Sequence, residues 1–367
     1  MIRLRTGTVV AVRGTRPGVM ELEVTVDGRR EAAIAYPDLT GPVDAGDEVL
    51  LNTTAVSEGL GTGGFHFVIG VAGQADRDPS APGHVMKLRY TPQQLKVLSV
   101  EEPASPHRQA MEAAEGLDGL PVIWLPLHSM LGAACAGARR AGAERIVHVM
   151  TDGASLPMAF SRQIPDLRRA ELLDEVITCG QAFGGDLEAV SVFSGLLAAT
   201  AAAGADVAVV GDGPGSVGTA TRWGESAVAG GMSLNAAAIL GGRPVAALRL
   251  SFAEPRPRHH GLSSHSITVL TRVTQSSVHV AVPTLEGEQR EAVWNALRAA
   301  GLEERHQVVE VPGEPALDLL AERDIEPSTM GRGLREDREF FLAAGAAGVL
   351  AGRMAAGSAR YRQEVVK

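Results

Sequence analysis

The first 75 residues alternate apolar and polar positions at the two-residue spacing of half-buried strands. "TGTVVAV", "MELEVTV" and "EAAIAY" are three such runs, and the last two flank Asp27-Gly28, a two-residue turn whose twist suits a hairpin. "PVDAGDEVLLNTTAV" and "FHFVIGV" add two more strands. Five short strands in this length predict a small β-barrel of the OB or SH3-like kind over residues 1–75. Gly59, Gly61, Gly63 and Gly64 make the loop before the last strand permissive, for turn geometry or for a partner's close approach. Residues 76–119 read as a linker and connecting segment, opening in the polar, Pro/Gly-bearing stretch "GQADRDPSAPG".

From Leu120 the period changes. Continuous apolar runs ("PVIWLPL", "RIVHVMT", "EVITCG", "ADVAVVG", "RPVAALRLSF", "VHVAVPT", "HQVVEV") alternate with longer helix-like segments rich in Ala and Gly. Strands that are apolar throughout and separated by helices predict a mainly parallel sheet buried on both faces, so residues 120–367 read as an α/β ligand-binding domain.

Composition narrows the function classes. The chain has 367 residues, 45% of them apolar and 21% charged, within the globular range. Its net charge of −9, with no basic run, argues against a nucleic-acid surface. No apolar run reaches about 18 residues without polar interruption, so no membrane span is expected. Cys135 and Cys179 have neither CxxC nor metal spacing, which fits a reducing cytoplasm. Ala/Gly-rich helices and the base rate for twofold assemblies suggest a homodimer.

Ligands of open parallel sheets bind beyond the carboxyl ends of the strands. Those ends hold His128 and Ser129, Thr151 to Ser155, Cys179 to Asp186, "GDGPGSVGTATRWG", and "EPRPRHHGLSSHS". The amino ends carry ordinary turn residues, so the chemistry is expected on one rim. Within the glycine stretch, Gly213, Gly215 and Gly218 fit G-x-G-x-x-G, but the stretch follows about the fourth strand rather than the first. The acidic residue expected about 20 residues on is missing, since Glu254 lies 36 residues past Gly218. A Walker lysine is also lacking. What remains is a turn of small residues, read either as packing or as an anion cradle. In the cradle reading Gly211, Asp212, Gly213, Gly215, Ser216, Gly218, Thr219, Thr221 and Arg222 bind the ligand, with Arg256 and Arg258 joining from the later loop.

His259, His260 and His265 lie in that later loop, and neighbouring arginines oppose a bound cation. His128, Asp152, His260 and His265 are the acid/base candidates, Asp152 orienting a histidine or capping a helix. His148 sits inside an apolar run and reads as packing. "EPSTMGRGLRED", with Ser328, Thr329, Arg332 and Arg335, reads as a second anion-binding turn or a helix start.

Taken together, "LNTTAVSEGLGTGGFHFV", "HVMKLRYTPQQ", "GDGPGSVGTATRWG", "PRPRHHGLSSHS" and "STMGRG" resemble the bacterial family called domain of unknown function 3866, over nearly the whole chain. The resemblance implies that barrel and α/β part belong together in a soluble bacterial protein. It lends no activity, cofactor or catalytic residue. The expected function is therefore binding of a small anionic or phosphorylated metabolite, a nucleotide among them, at the carboxyl rim, with His/Asp acid–base chemistry. A metal-dependent hydrolase using the loop histidines, and a non-catalytic regulatory or assembly protein docking through its barrel, are the alternatives.

Overall fold

The alternating runs at the start of the chain close into a five-stranded barrel: β1 (Leu4–Arg16), β2 (Val19–Val26), β3 (Arg29–Ala35), β4 (Glu48–Asn52) and β5 (His66–Val71), with one-turn helices α1 (Pro37–Thr40) and α2 (Thr54–Ser57) between them. This computed structural model describes residues 1–365 except 75, 80 and 81, with side chains as far as 357. The order around the barrel is β1-β2-β3-β5-β4. The β3–β5 pair is parallel and the other pairs are antiparallel. A meander of three strands closed in this way is a Greek-key barrel of the OB kind.

Asp27 (φ 49°) and Gly28 (φ 74°) both take left-handed backbone, as the hairpin turn requires. Val9, Leu22, Val24, Val26, Ala33, Val49, Leu51 and Val68 point inward. Two register shifts in β1 let one long strand bend to pair with both β2 and β4. A ribbon of β6 (Val85–Lys87) and β7 (Leu95–Val97) follows. The chain divides into two compact units, Met1–Leu98 and Ser99–Lys367, and the division falls inside the stretch read as a connector.

The second unit begins with α3 (Arg108–Ala113) and is built on eight parallel strands. These are β8 (Pro121–Trp124), β9 (Ile146–Thr151), β10 (Glu175–Cys179), β11 (Leu187–Ala189), β12 (Val207–Asp212), β13 (Arg243–Ala247), β16 (His279–Pro283) and β17 (Gln307–Val311). A short antiparallel pair, β14 (Leu250–Ser251) and β15 (Gly261–Leu262), lies between β13 and β16 in the chain. The sheet order is β11-β10-β9-β12-β8-β13-β16-β17. The helices are α4 (Leu131–Arg140), α5 (Gln163–Arg169), α6 (Val192–Ala201), α7 (Gly230–Ile239), α8 (Ser264–Thr268), α9 (Gly287–Ala299), α10 (Leu302–Arg305), α11 (Glu314–Glu322) and α12 (Arg338–Val365). The group α4, α11 and α12 packs together on one side of the sheet, and α6 and α7 on the other.

Every strand expected after residue 120 is present. The chain adds β11, in a segment whose sequence reads as the start of a helix. The Asp186 carboxylate accepts the Val176 amide (2.8 Å) and holds Leu187–Ala189 beside β10.

Arg338–Gly357 is the one described helix long and apolar enough, by length and composition, to cross a membrane, although Arg353 interrupts its apolar run, and 72% of its apolar window is buried inside the fold. It packs on α4, β8, β13 and β16 as a core helix. Glycines set that contact: a Cβ on Gly137 would come 2.4 Å from Gly345 O, and one on Gly348 would come 2.1 Å from Ala134 O. The Ala/Gly-rich sequence therefore lets two backbones touch.

Candidate functional site

Parallel strands send all their carboxyl ends to one rim. The chain leaves β8 into α4 on one side of the sheet and leaves β12 toward α7 on the other. These two strands are neighbours in the sheet, and ligands of open parallel sheets bind where adjacent connections diverge in this way. Specific contacts join the loops at this rim. His128 Nδ1 meets Asp212 O (3.2 Å), Ser155 N donates to Pro214 O (3.1 Å), and Ser129 Oγ meets Thr329 Oγ1 (3.0 Å). Glu225 meets His265, and Arg332 approaches Glu254 (3.5 Å).

One half of the rim, beyond β8, β9 and β12, is internally satisfied. Asp212 Oδ1 accepts the Thr151 hydroxyl (2.6 Å) and the Gly153 amide (2.9 Å). A Cβ on Gly153 would lie 2.4 Å from the Asp212 carboxylate, so only glycine leaves it room. Burial, with some help from the Asp152 charge, raises the Asp212 pKa. Asp152 neither orients a histidine nor caps a helix; its carboxylate accepts the Gln181 amide (2.8 Å).

His128 places Nε2 2.8 Å from Ser161 Oγ, a base–hydroxyl pairing within catalytic reach. Ser161, however, is 1% exposed, and its oxygen accepts the Ile164 amide at the start of α5. The pair therefore fixes a loop. Burial, and then the nearby His148, push the His128 pKa down to about 3, and burial pushes His148 down to about 4, so both rings are neutral near pH 7. His148 is a packed strand residue, with Nδ1 on Val209 O (2.8 Å) and Nε2 buried without a partner.

The other half, beyond β13, is basic. Glu254 takes both arms of the Arg256 fork (2.7 and 2.8 Å), which holds its pKa down to about 2. Arg332 donates to Asp337 (3.0 Å), which also accepts the Ser251 hydroxyl (2.9 Å). Arg249, just past β13, is 7% exposed, and its guanidinium makes no hydrogen bond among the described residues. Burial, and then the fields of Arg256 and other neighbours, lower its pKa to about 10, so it keeps its charge at neutral pH. Arg258 donates from Nε only to His259 Nε2 (3.1 Å). Four arginines thus face two carboxylates, both already engaged.

The loop histidines divide their roles. His259 accepts from Arg258 through Nε2 and donates through Nδ1 to Ser263 Oγ (2.8 Å). Burial and the surrounding arginines hold it neutral, with a pKa of about 4. His265 stands edge-to-face against it (4.4 Å between ring centres) and sets Nδ1 against the Glu225 carboxylate. His260 is exposed, against Glu254 O (3.3 Å) and the Phe252 ring. Among the described residues no group of three or more His, Cys, Asp or Glu side chains is placed to hold a metal ion. Both cysteines are buried.

The glycine stretch splits in two. Gly211, Asp212 and Gly213 lie at the rim, where a Cβ on Gly213 would come 2.5 Å from Ser155 O. Gly215, Ser216, Gly218, Thr219, Thr221 and Arg222 are exposed, in an excursion that closes on itself through the Gly218–Glu225 bridge and the Ser226–Val217 bond (2.9 Å). The turn does not open directly into a helix, because α7 starts only at Gly230.

Sequence reasoning missed Arg249 and Glu225. Arg249 had a visible signal, one cation inside the apolar run "VAALRLSF"; Glu225 had none.

No curated protein and no solved structure matches this chain. Residues 32–348 match the family described as "Protein of unknown function (DUF3866)", and the chain belongs to that family.

Proposed function

We propose that this protein binds a small anionic metabolite, phosphorylated or carboxylated, at the basic half of the carboxyl rim, with Arg249 and Arg258 taking the anion and nucleotides among the class. The observation that carries this reading is Arg249, a largely buried residue whose guanidinium makes no hydrogen bond to a described residue while its nitrogens keep access to solvent. A bidentate oxyanion is the partner its planar fork fits. The hydrolase reading has weaker support, because His259 and His265 commit ring nitrogens to Ser263, Arg258 and Glu225. Two buried, unbridged thiols suit a reducing compartment.

The test is a thermal-shift screen at constant ionic strength with inorganic phosphate, pyrophosphate, sugar phosphates and nucleotides. A ligand at about 100 times its Kd adds about 2.7 kcal/mol. Arg249→Met is expected to abolish the shift while the free protein keeps or gains stability. A screen in which no anion raises Tm, or an Arg249→Met variant that responds like wild type, defeats the reading.

A further inference from the structure

We infer that Glu225 and His265 form a carboxylate–imidazole dyad whose free Nε2 acts as general base on a hydroxyl of the bound anion, so that the substrate class is a hydroxyl-bearing phosphate or carboxylate. The inference rests on the anion reading above. Its evidence is the way two histidines of one loop are wired.

His259 uses its Nε2 lone pair to receive Arg258 and its Nδ1 proton to reach Ser263, so neither nitrogen is left for chemistry. His265 has the opposite wiring. Its Nδ1 meets the Glu225 carboxylate, and its Nε2 has no hydrogen bond among the described residues. A carboxylate on Nδ1 fixes the tautomer with the proton on that nitrogen, leaves Nε2 as the lone-pair end, and stabilises the imidazolium once it forms.

Glu225 has no visible structural reason to be where it is. Its side chain is 3% exposed, and Oε1 is buried with no partner. Asp337 also has a buried oxygen without a partner, but Arg332 and Ser251 hold its other one. Glu225 faces a single imidazole, whose pKa burial lowers and whose protonated form a facing carboxylate favours. Position ties the base to the anion site: the ring of His265 stands 4.4 Å from that of His259, which in turn accepts from Arg258 (3.1 Å).

The step balances as a proton transfer. The substrate O–H bond breaks with its electron pair left on oxygen, an N–H bond forms at His265 Nε2, and the imidazolium charge is matched by Glu225. Return of the proton to product restores the dyad. His265 is the catalytic residue and Glu225 the positioning residue.

Nitrogen–proton correlation NMR of the full-length protein tests this, with the His265 signals assigned by their loss in His265→Gln. The expected result is an Nδ1–H tautomer for His265, a titration midpoint that falls by about one unit in Glu225→Gln, and a rise in midpoint on saturation with inorganic phosphate that Arg249→Met lacks. An Nε2–H tautomer in the wild type overturns the dyad, and this reading needs only the His265→Gln assignment. A midpoint unmoved by Glu225→Gln also overturns it. If phosphate still raises Tm in either case, the anion site stands and only the dyad falls. If phosphate binds nowhere, the reading beneath the inference fails first.

Discussion

Beyond β9 and β12, Asp212 is half-buried with a hydroxyl and an amide on its oxygen; beyond β13, Arg249 is largely buried with no hydrogen-bond acceptor among the described residues. The same rim thus holds a closed polar network and an open one. In the closed half glycines have been fitted around carboxylates, and the Asp212 carboxylate finds its donors within the protein. In the open half Glu254 and Asp337 are each held by an arginine, and Arg249 and Arg258 have no carboxylate of their own among the described residues. A satisfied network stabilises a fold, whereas an unsatisfied one is tolerated where an outside group completes it. The difference separates scaffold from candidate site better than residue type does, since both halves contain histidine and carboxylate.

Acid should strain the closed half most. The His148 pKa falls from about 6.5 unfolded to about 4 folded, so between these values the unfolded chain holds more protons. Its contribution is complete above about pH 6.5 and is lost as pH falls toward 4, roughly 3 kcal/mol in all. Urea titrations between pH 7.5 and 4.5 should show a slope to which His128, with its still lower pKa, also contributes, and His148→Gln should reduce it by its own share. An unchanged slope would place the acid sensitivity elsewhere.

Next come two substitutions of opposite sign. Asp212→Ala leaves the Thr151 hydroxyl and Gly153 amide without their acceptor and should cost about 1–3 kcal/mol. Arg249→Met removes a largely buried guanidinium that has no hydrogen bond to a described residue and should leave stability equal or slightly higher. Equal losses in chemical denaturation would erase the distinction between the halves. A smaller effect is expected from Glu254→Gln, which removes a competing anion beside Arg256 and Arg332. Phosphate binding by calorimetry should tighten about fivefold, a gain of roughly 1 kcal/mol; weaker binding would mean that Glu254 positions the arginines for the ligand. The least effect belongs to Arg222→Ala on the exposed excursion, below about 0.5 kcal/mol in stability and without change in the phosphate-induced Tm shift. Loss of that shift would return the excursion to the binding site.

Much of the framework was legible because period and turn chemistry are local. Asp27-Gly28 announced its hairpin, and the uninterrupted apolar runs announced strands buried on both faces. Leu187–Ala189 escaped because its pairing depends on Asp186 reaching a neighbouring strand. The glycine pattern misled for a related reason: Gly218 pairs with Glu225, and that local closure postpones the helix. The rim itself was legible, since strand polarity alone collects His128, Asp152, Asp212 and the loop histidines at one end. Wiring was not. Nothing in "RHHGLSSHS" tells that His259 accepts from an arginine while His265 faces a carboxylate, or that the carboxylate comes from Glu225, 40 residues earlier.

The helix that seals the middle of the sheet, α12, follows in the chain every strand it covers. During synthesis the strands β8, β13 and β16 must therefore wait, one apolar surface uncovered, until residues 338–357 have left the ribosome. Nascent chains stalled before that point are expected to be sticky and protease-sensitive, and bulkier side chains at Gly137 or Gly348 should reproduce that state in the finished protein.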